Sequence, residues 1–414
     1  LSLFFCEWKK IWNWRVVGLL FTFAALMWFL VLKVDVQNYK TLMTSAHYQR
    51  EMFEKYGTTL EVEELDEYDI PGKMTAVEEE LDNQISSDML FTNHGIHTYK
   101  EYQTFMANGM DGMDEQAAER FFKLASQMDE QLWSNETRKG SQKLLVPPVG
   151  RLEMLAELQN RYAHYEQSSA LHGLTRENQN HPVAAEAIRK IQSKHNNSLV
   201  PTALQGSVSR YASVVGVSAI LMTILIVSPS LTRDRARNVY LLQYSSAAGR
   251  RILWIQLAAA VSSACIFSLV VIAVSAIPLL AAGMGDYFGV SMLFTSYSSL
   301  VFLYEITFAQ YVLLLAGMII LLCAAAACFT FVLARFSTNI MNTILKIVPL
   351  GLAFWILYLG AISDTFTPFN MLFSSVLHGR MVMPELILCV VLAVVGVLTV
   401  VSILVRERKT DVSS

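Results

Sequence analysis

The chain has 414 residues; hydrophobic types make up 53% of it, charged types 16%, and the mean hydropathy is +0.38. A soluble globular chain carries about 25% charged residues, so the fully soluble, disordered, collagenous and disulfide-rich classes are excluded. The net charge of −3 averages a sharp split: residues 35–208 hold 27 of the 35 acids and 16 of the 32 bases, a local net of −11, and the rest carries a net of +8, which leaves no soluble basic face for a nucleic acid.

Residues 1–15 mix aromatics and bases: Phe4, Phe5, Trp8, Lys9, Lys10, Trp12, Trp14 and Arg15. That composition predicts an amphipathic interfacial helix with its bases toward anionic lipid. Residues 16–34 then form the first of six stretches long and apolar enough to cross about 30 Å of hydrocarbon. The others are residues 211–231, 252–280, 306–334, 341–362 and 386–405, within a five-helix region spanning 209–405, and residues 406–414 form a tail. One set of span ends carries Lys9, Lys10, Arg15, Arg233, Arg235, Arg237, Arg250, Arg251, Arg335, Lys346, Arg406, Arg408 and Lys409, whereas the short loops of the other set carry only Arg380. The positive-inside rule then places both termini in the cytoplasm and residues 35–208 outside. The expected fold is an all-α membrane protein: six transmembrane helices, with a mostly helical extracellular domain inserted between the first and second.

The outer domain contains none of the five cysteines, so it must fold on packing alone. Residues 36–56 are expected to continue the first span as a helix. A dense acidic run, Glu61 to Asp69, precedes a Pro71-Gly72 turn, and a solvated acidic face is its expected role. Ala117, Phe121, Leu124, Met128 and Leu132 repeat at helical spacing after Asp114 as cap; Leu152, Leu155, Leu158 and Tyr162 do so after Pro147-Pro148. Pro182 suits the first position of a helix over residues 183–195, and residues 140–146 read as a short strand or loop. His94 and His97 have a spacing that suits zinc on a helix, but Gly95 weakens a helix there and no third ligand accompanies them. Asp111, Asp114 and Glu115 lack the alternation of a calcium loop. No metal site is expected. Asn135 and Asn196 begin short glycosylation-like triplets that are common by chance.

The loop between the second and third spans is the most informative stretch. Charged residues Arg233, Asp234, Arg235 and Arg237 lead into Val239, Tyr240, Leu241, Leu242 and Tyr244; a Ser-Ser-Ala-Ala-Gly turn ending at Gly249 follows, then Arg250 and Arg251. The positive-inside rule accounts for the arginines but not for the Tyr-Leu-Leu cluster, which is what a docking helix needs.

This loop resembles the inner loop of type-2 ATP-binding-cassette (ABC) transporter permeases, in which an acidic segment precedes a short leucine-rich coupling helix, a small-residue turn and basic residues at the next span. Asp234, Tyr240-Leu241-Leu242, Ser245-Ser246 and Gly249-Arg250-Arg251 are the matching positions. The family usually has a Glu and then a Gly before the leucines, where this chain has Asp234 and Asn238. The layout is also similar over nearly the whole chain: amphipathic start, one span, large outer domain, five spans. The resemblance implies an exporter permease that pairs with an identical or related permease chain and docks a cytosolic ABC ATPase subunit on its coupling helix. ATP and Mg would belong to that partner, with no cofactor in this chain. The substrate expected is an amphipathic peptide, lipid or drug-like compound. No Gly-x-x-x-x-Gly-Lys-Ser/Thr phosphate loop occurs in the sequence, so neither nucleotide binding nor catalysis is expected of this chain. The alternative is a mechanotransmission or signalling protein that moves its outer domain without transport. A membrane-anchored hydrolase would need a Gly-x-Ser-x-Gly or His-Glu-x-x-His signature, and none is present.

Among polar groups near the spans, Lys346 is expected to snorkel to the inner surface. The absence of a ladder of intramembrane carboxylates argues against ion coupling. Residues 366–383, with Pro368, Phe369, Met371, Leu372, Phe373 and Val376, are too polar for a span and too apolar for a free loop. They read as short helices dipping into the outer leaflet, either as an interfacial hairpin or, as in the resembled family, as an outer gate. Gly317, Ala324–Ala327 and Gly351 are the expected points of close helix packing. Phe354, Trp355 and Tyr358 are expected to face lipid or packing rather than a passage.

Overall fold

The structure, a computed structural model, describes residues 2–57, 59–60, 62–108, 115–133, 146–163, 185–186, 189–190, 197–198, 204–236, 251–292, 304–337, 339–362, 366 and 381–409. Among them are six helices long and apolar enough to cross a membrane: Trp14–Met43, Leu204–Asp234, Arg251–Ala281, Phe308–Arg335, Met341–Gly360 and Pro384–Arg406. All six fall where the hydropathy predicts them. Helices are the natural answer for such runs, because every backbone N–H and C=O is paired within the segment. Pro229, Pro278 and Pro349 lie inside three of them, as membrane helices tolerate where local adjustments satisfy the freed carbonyls.

In chain order, the first helices are α1 (Ser2–Ile11), α2 (Trp14–Met27), a π-helical turn (Trp28–Leu32) and α3 (Lys33–Ser45). The chain separates into two compact units. One comprises Leu1–Lys40, Ser169–Lys194 and Thr202–Ser414; the other comprises Thr41–Ser168 and His195–Pro201. The second unit lies within residues 35–208 and leaves out residues 169–194 as well as both ends of that stretch.

The second unit holds α4 (His47–Tyr56), α5 (Val62–Tyr68), α6 (Ile70–Ser87), α7 (Met89–Thr92), α8 (Tyr99–Asn108), α9 (Glu115–Trp133) and α10 (Pro148–Ala163). A two-residue antiparallel pair, β1 (Thr59–Leu60) with β2 (Asn197–Ser198), is the extended structure among its described residues. α6 supplies Val77, Leu81 and Ile85 to the core, α9 supplies Met128 and Leu132, and α10 supplies Leu152, Leu155 and Leu158. Pro71 and Gly72 are not a turn, as their sequence suggests. They lie in the first turn of α6, where proline loses no hydrogen bond, and the chain reverses one step earlier at Asp69, in the left-handed region at φ 50°. The Asp69 carboxylate accepts from Gly72 N at 3.0 Å, and a Cβ on Gly72 would collide with it. The acidic run forms α5, and the expected continuous helix over 36–56 breaks at Ala46. His94 and His97 sit in a turn around Gly95 (φ 72°) rather than on a helix, and His94 Nδ1 contacts the Leu90 carbonyl at 2.9 Å. Asp111, Asp114, Asn135, Asn196, residues 140–145 and most of 183–195 lie outside the described residues.

Lys73 Nζ contacts Glu51 Oε1 at 2.8 Å and lies over the Tyr68 ring. Partial burial works against the Glu51 carboxylate, but the Lys73 hydrogen bond and charge prevail and hold its pKa below the usual value. A depressed folded-state pKa contributes stability above the unfolded value near 4.5 that is lost as pH falls through the folded value. Glu51 is 43% exposed, so solvent screening limits the effect to under about 1 kcal/mol. Glu51→Gln is therefore expected to remove part of the acid-side slope of stability below about pH 4.5, read by acid titration of near-UV circular dichroism.

The first unit is organised around one helix. Its remaining elements are α11 (Leu204–Ala236), α12 (Arg251–Ala281), a 3-10 turn (Met284–Tyr287), α13 (Phe308–Arg335), α14 (Ile340–Ile362) and α15 (Pro384–Lys409). α13 packs against α11, α12, α14 and α15, and its Ala325, Ala326, Ala327 and Cys328 are buried. A capping box starts it: Thr307 Oγ1 accepts from Gln310 N at 3.3 Å, and the Gln310 side chain accepts from Thr307 N at 2.9 Å. At its other end Lys346 Nζ donates to the Phe336 carbonyl at 3.0 Å, a cation satisfying a helix C-terminus.

Close helix approaches fall at glycines other than those expected. Gly317 has open space where a Cβ would project, and Gly351 has only ordinary contact with Leu221. Gly396 lets α15 meet α13, a Cβ there lying 3.1 Å from Cys328 Cβ. Gly216 lets α11 meet α14, where a Cβ would overlap the ring and hydroxyl of Tyr358.

Candidate functional site

Three places in the first unit concentrate polar groups against apolar helices. The first joins α1 to the facing ends of α11 and α12. α1 packs along α12 and touches α11; it buries Ile11 and Glu7 and leaves Lys9 exposed, as is Arg15 at the start of α2. Lys10 Nζ contacts Glu7 Oε1 at 2.6 Å and Asp234 Oδ2 at 3.2 Å. Gln256 Nε2 donates to Glu7 Oε2 at 3.2 Å and toward Asp234 Oδ2 at 3.4 Å. Burial would lower the Lys10 pKa, but the hydrogen bonds and charges of Glu7 and Asp234 outweigh it and raise it. Trp12 adds a hydrogen bond from Nε1 to Ser263 Oγ at 3.1 Å, and its ring lies against Trp8 and Phe267. Asn13 then breaks the helix and caps α2, accepting from Arg15 N at 3.1 Å. The amphipathic helix thus ends at Ile11, and Lys10 faces two carboxylates.

Of the candidate coupling residues, Arg233 is exposed on the last turn of α11, Asp234 belongs to the polar clamp, Arg235 lies in α11 and Arg251 starts α12 with its side chain exposed. Arg237, Val239, Tyr240, Leu241, Leu242, Tyr244, Gly249 and Arg250 lie outside the described residues.

The second place is the pair of shoulders flanking the expected outer hairpin, whose Pro368, Phe369, Met371 and Phe373 also lie outside the described residues. Phe366 and Met383 both have positive φ, 64° and 48°, an uncommon conformation for residues with a Cβ. Each amide has a side-chain acceptor: Phe366 N donates to Glu385 Oε1 at 2.8 Å, and Met383 N donates to the Tyr304 hydroxyl at 2.8 Å. The Phe366 ring is fully buried against Tyr304 and Tyr311, with centroids 5.7 and 6.3 Å away. Burial pushes the Tyr304 phenol up to about 12, so it stays neutral.

The third is a groove of about 710 Å³ between α2 with its π turn, α11 and α14. Met27, Val31, Val217, Trp355 and Leu359 give it apolar walls, and among the described residues Arg210 is the one charged residue lining it. Arg210 Nε lies 3.4 Å from Asp35 Oδ1; the Asp35 side chain is 6% exposed and that of Arg210 is 73% exposed. Of the three aromatics of the fifth span, Trp355 faces this groove. Phe354 is buried beside Phe329, and Tyr358 is fully buried with its hydroxyl donating to the Ala212 carbonyl at 2.8 Å. Sequence reasoning missed Arg210, Asp35 and Glu385. The signal for Arg210 was present: a lone charge inside the first two turns of a helix whose other charges, Arg233, Asp234 and Arg235, lie at its far end.

No model of a known protein family, no curated protein and no solved structure matches this chain.

Proposed function

We propose that this chain is the transmembrane permease subunit of a type-2 ABC exporter, powered by a separate cytosolic ATPase chain. It moves an amphipathic peptide, lipid or drug-like substrate outward. The observation that carries this is the clamp of Glu7, Lys10, Asp234 and Gln256. It ties α1 to the two helices joined by residues 237–250, the stretch that resembles a coupling helix. A push on Tyr240, Leu241 and Leu242 would reach α11 and α12 through their shared loop, and α1 would move with them. ATP and Mg would be bound by the partner ATPase, two permease chains would pair, and the second unit would lie outside a bacterial plasma membrane with both termini inside. The apolar groove with a single cation favours export over mechanotransmission, which needs no such surface.

The test is a mild-detergent pull-down of the tagged chain from its native membrane, with mass spectrometry and an ATPase assay. A stoichiometric ATPase carrying a phosphate-loop motif is expected, and Tyr240→Ala/Leu241→Ala is expected to lower its recovery at least about tenfold with the permease still folded, as loss of apolar anchors does. Clean recovery of the chain with no ATPase would overturn the proposal.

A further inference from the structure

The groove between α2, α11 and α14 has a chemistry of its own. Its walls are apolar, its volume of about 710 Å³ is that of one ligand body, and the one charge lining it among the described residues is a guanidinium. Arg210 has five N–H donors. Among the described residues its ionic partner is Asp35, reached through Nε at 3.4 Å, and its side chain stays 73% exposed. Asp35 is almost wholly enclosed, and its Oδ2 has no hydrogen-bond partner among the described residues. The carboxylate thus holds one edge of the fork and leaves the paired Nη groups for another acceptor. Arg210 lies six residues into α11, about 9 Å along the axis at 1.5 Å per residue, so the cation sits near one membrane surface while Leu221 continues the apolar wall inward.

We infer that this groove binds an anionic, lipid-like amphiphile drawn from the bilayer, its phosphate or carboxylate head on the Arg210 guanidinium and its apolar body along Met27, Val31, Val217, Trp355 and Leu359. Charge complementarity selects this occupant: a zwitterionic lipid brings a cation that Arg210 repels, and a neutral compound offers no anion to the exposed Nη edge that Asp35 leaves open. Planar guanidinium and tetrahedral phosphate match in two-pronged hydrogen bonding, which a lysine ammonium cannot reproduce. As the substrate class of the exporter, this rests on the function proposed above; as a binding site it does not need the ATPase.

The experiment measures binding of an acyl-labelled fluorescent phosphatidylglycerol, and of its phosphatidylcholine counterpart with the same acyl chains, to the full chain in neutral detergent. The native protein is expected to prefer phosphatidylglycerol. Arg210→Gln is expected to weaken phosphatidylglycerol about tenfold, as loss of charge-assisted hydrogen bonds does, and phosphatidylcholine, whose choline cation offsets its phosphate, by clearly less. Arg210→Lys is expected to recover part of the loss. Leu359→Trp, at a position 39% exposed, fills the groove without entering the core and is expected to weaken both lipids. Unchanged phosphatidylglycerol binding in Arg210→Gln, or an equal loss for both lipids, would overturn the inference. So would efficient cross-linking between copies through Trp355→Cys with lipid binding unaffected by Leu359→Trp, which would make the groove an interface between two chains. The pull-down and this measurement fail independently.

Discussion

Replacing Gly216 by Ala is expected to destabilise the membrane unit by about 3 kcal/mol, seen as a lowered thermal midpoint of the purified chain in detergent. The added methyl would occupy the space of the Tyr358 hydroxyl and ring carbons. Tyr358 is completely enclosed and its hydroxyl donates to the Ala212 carbonyl, one turn before Gly216. The ring cannot retreat without giving up that bond and parting α11 from α14. Overpacking alone costs about 1–3 kcal/mol, and the lost hydrogen bond adds about 1. Two companions make the expectation specific. Tyr358→Phe is expected to cost about 1 kcal/mol, the worth of one hydrogen bond, and not to rescue Gly216→Ala, because the ring carbons still occupy the site. Tyr358→Leu is expected to rescue it in part. A Gly216→Ala protein as stable as its parent would show that the two helices do not meet there.

The second large effect is expected at Glu385. Its carboxyl group is fully buried at the start of α15 and accepts the amide of Phe366 across nineteen residues. Phe366 is in the left-handed region, which costs about 1 kcal/mol or more for a residue with a Cβ. The conformation persists because the amide bond and the buried ring over-determine it. Glu385→Ala removes the acceptor and leaves an amide in an apolar setting, a loss of about 2–3 kcal/mol. Glu385→Gln keeps an acceptor oxygen and is expected to cost under about 1 kcal/mol. Hydrogen exchange separates local from general damage. Glu385→Ala is expected to accelerate exchange at Phe366 well before it affects α13, and equal exchange at Phe366 in the two variants would sink the assignment.

The six membrane helices were legible because hydropathy averages over a whole span, so no single residue decides it. α9 and α10 were legible for a related reason: Phe121, Met128 and Leu132, and Leu152 and Leu155, repeat at the helical period and are the residues found buried. α6 was not, because Pro71-Gly72 has the composition of a turn, and only the Asp69 cap and its left-handed φ show that the reversal comes first. Gly317 and Gly216 look alike in sequence; which of them meets a neighbour depends on how each helix is rotated, and composition carries no such information. Asp234 was singled out as a position in the loop motif, but its pairing with Lys10 spans 224 residues and no local pattern reports it. Arg210 and Asp35 were divided by the expected domain boundary, which assigned them to different parts of the chain.

The π turn at Trp28–Leu32 gives this pairing an unusual dependence. A π turn is an α-helix carrying one surplus residue, and each residue of a helix advances the side chains by about 100° around the axis. Met27 and Val31, at and just before the widened turn, face the groove, and Asp35 follows one turn later. Winding the same residues as an unbroken α-helix would leave the span long enough and apolar enough to cross the bilayer, yet it would swing Asp35 about a quarter-turn away from the groove face of Met27, and excising one residue would restore the alignment. The first span therefore behaves like a key with one extra notch: its length decides that it enters the membrane, and the wide turn that takes up the surplus residue decides which way its carboxylate points once there.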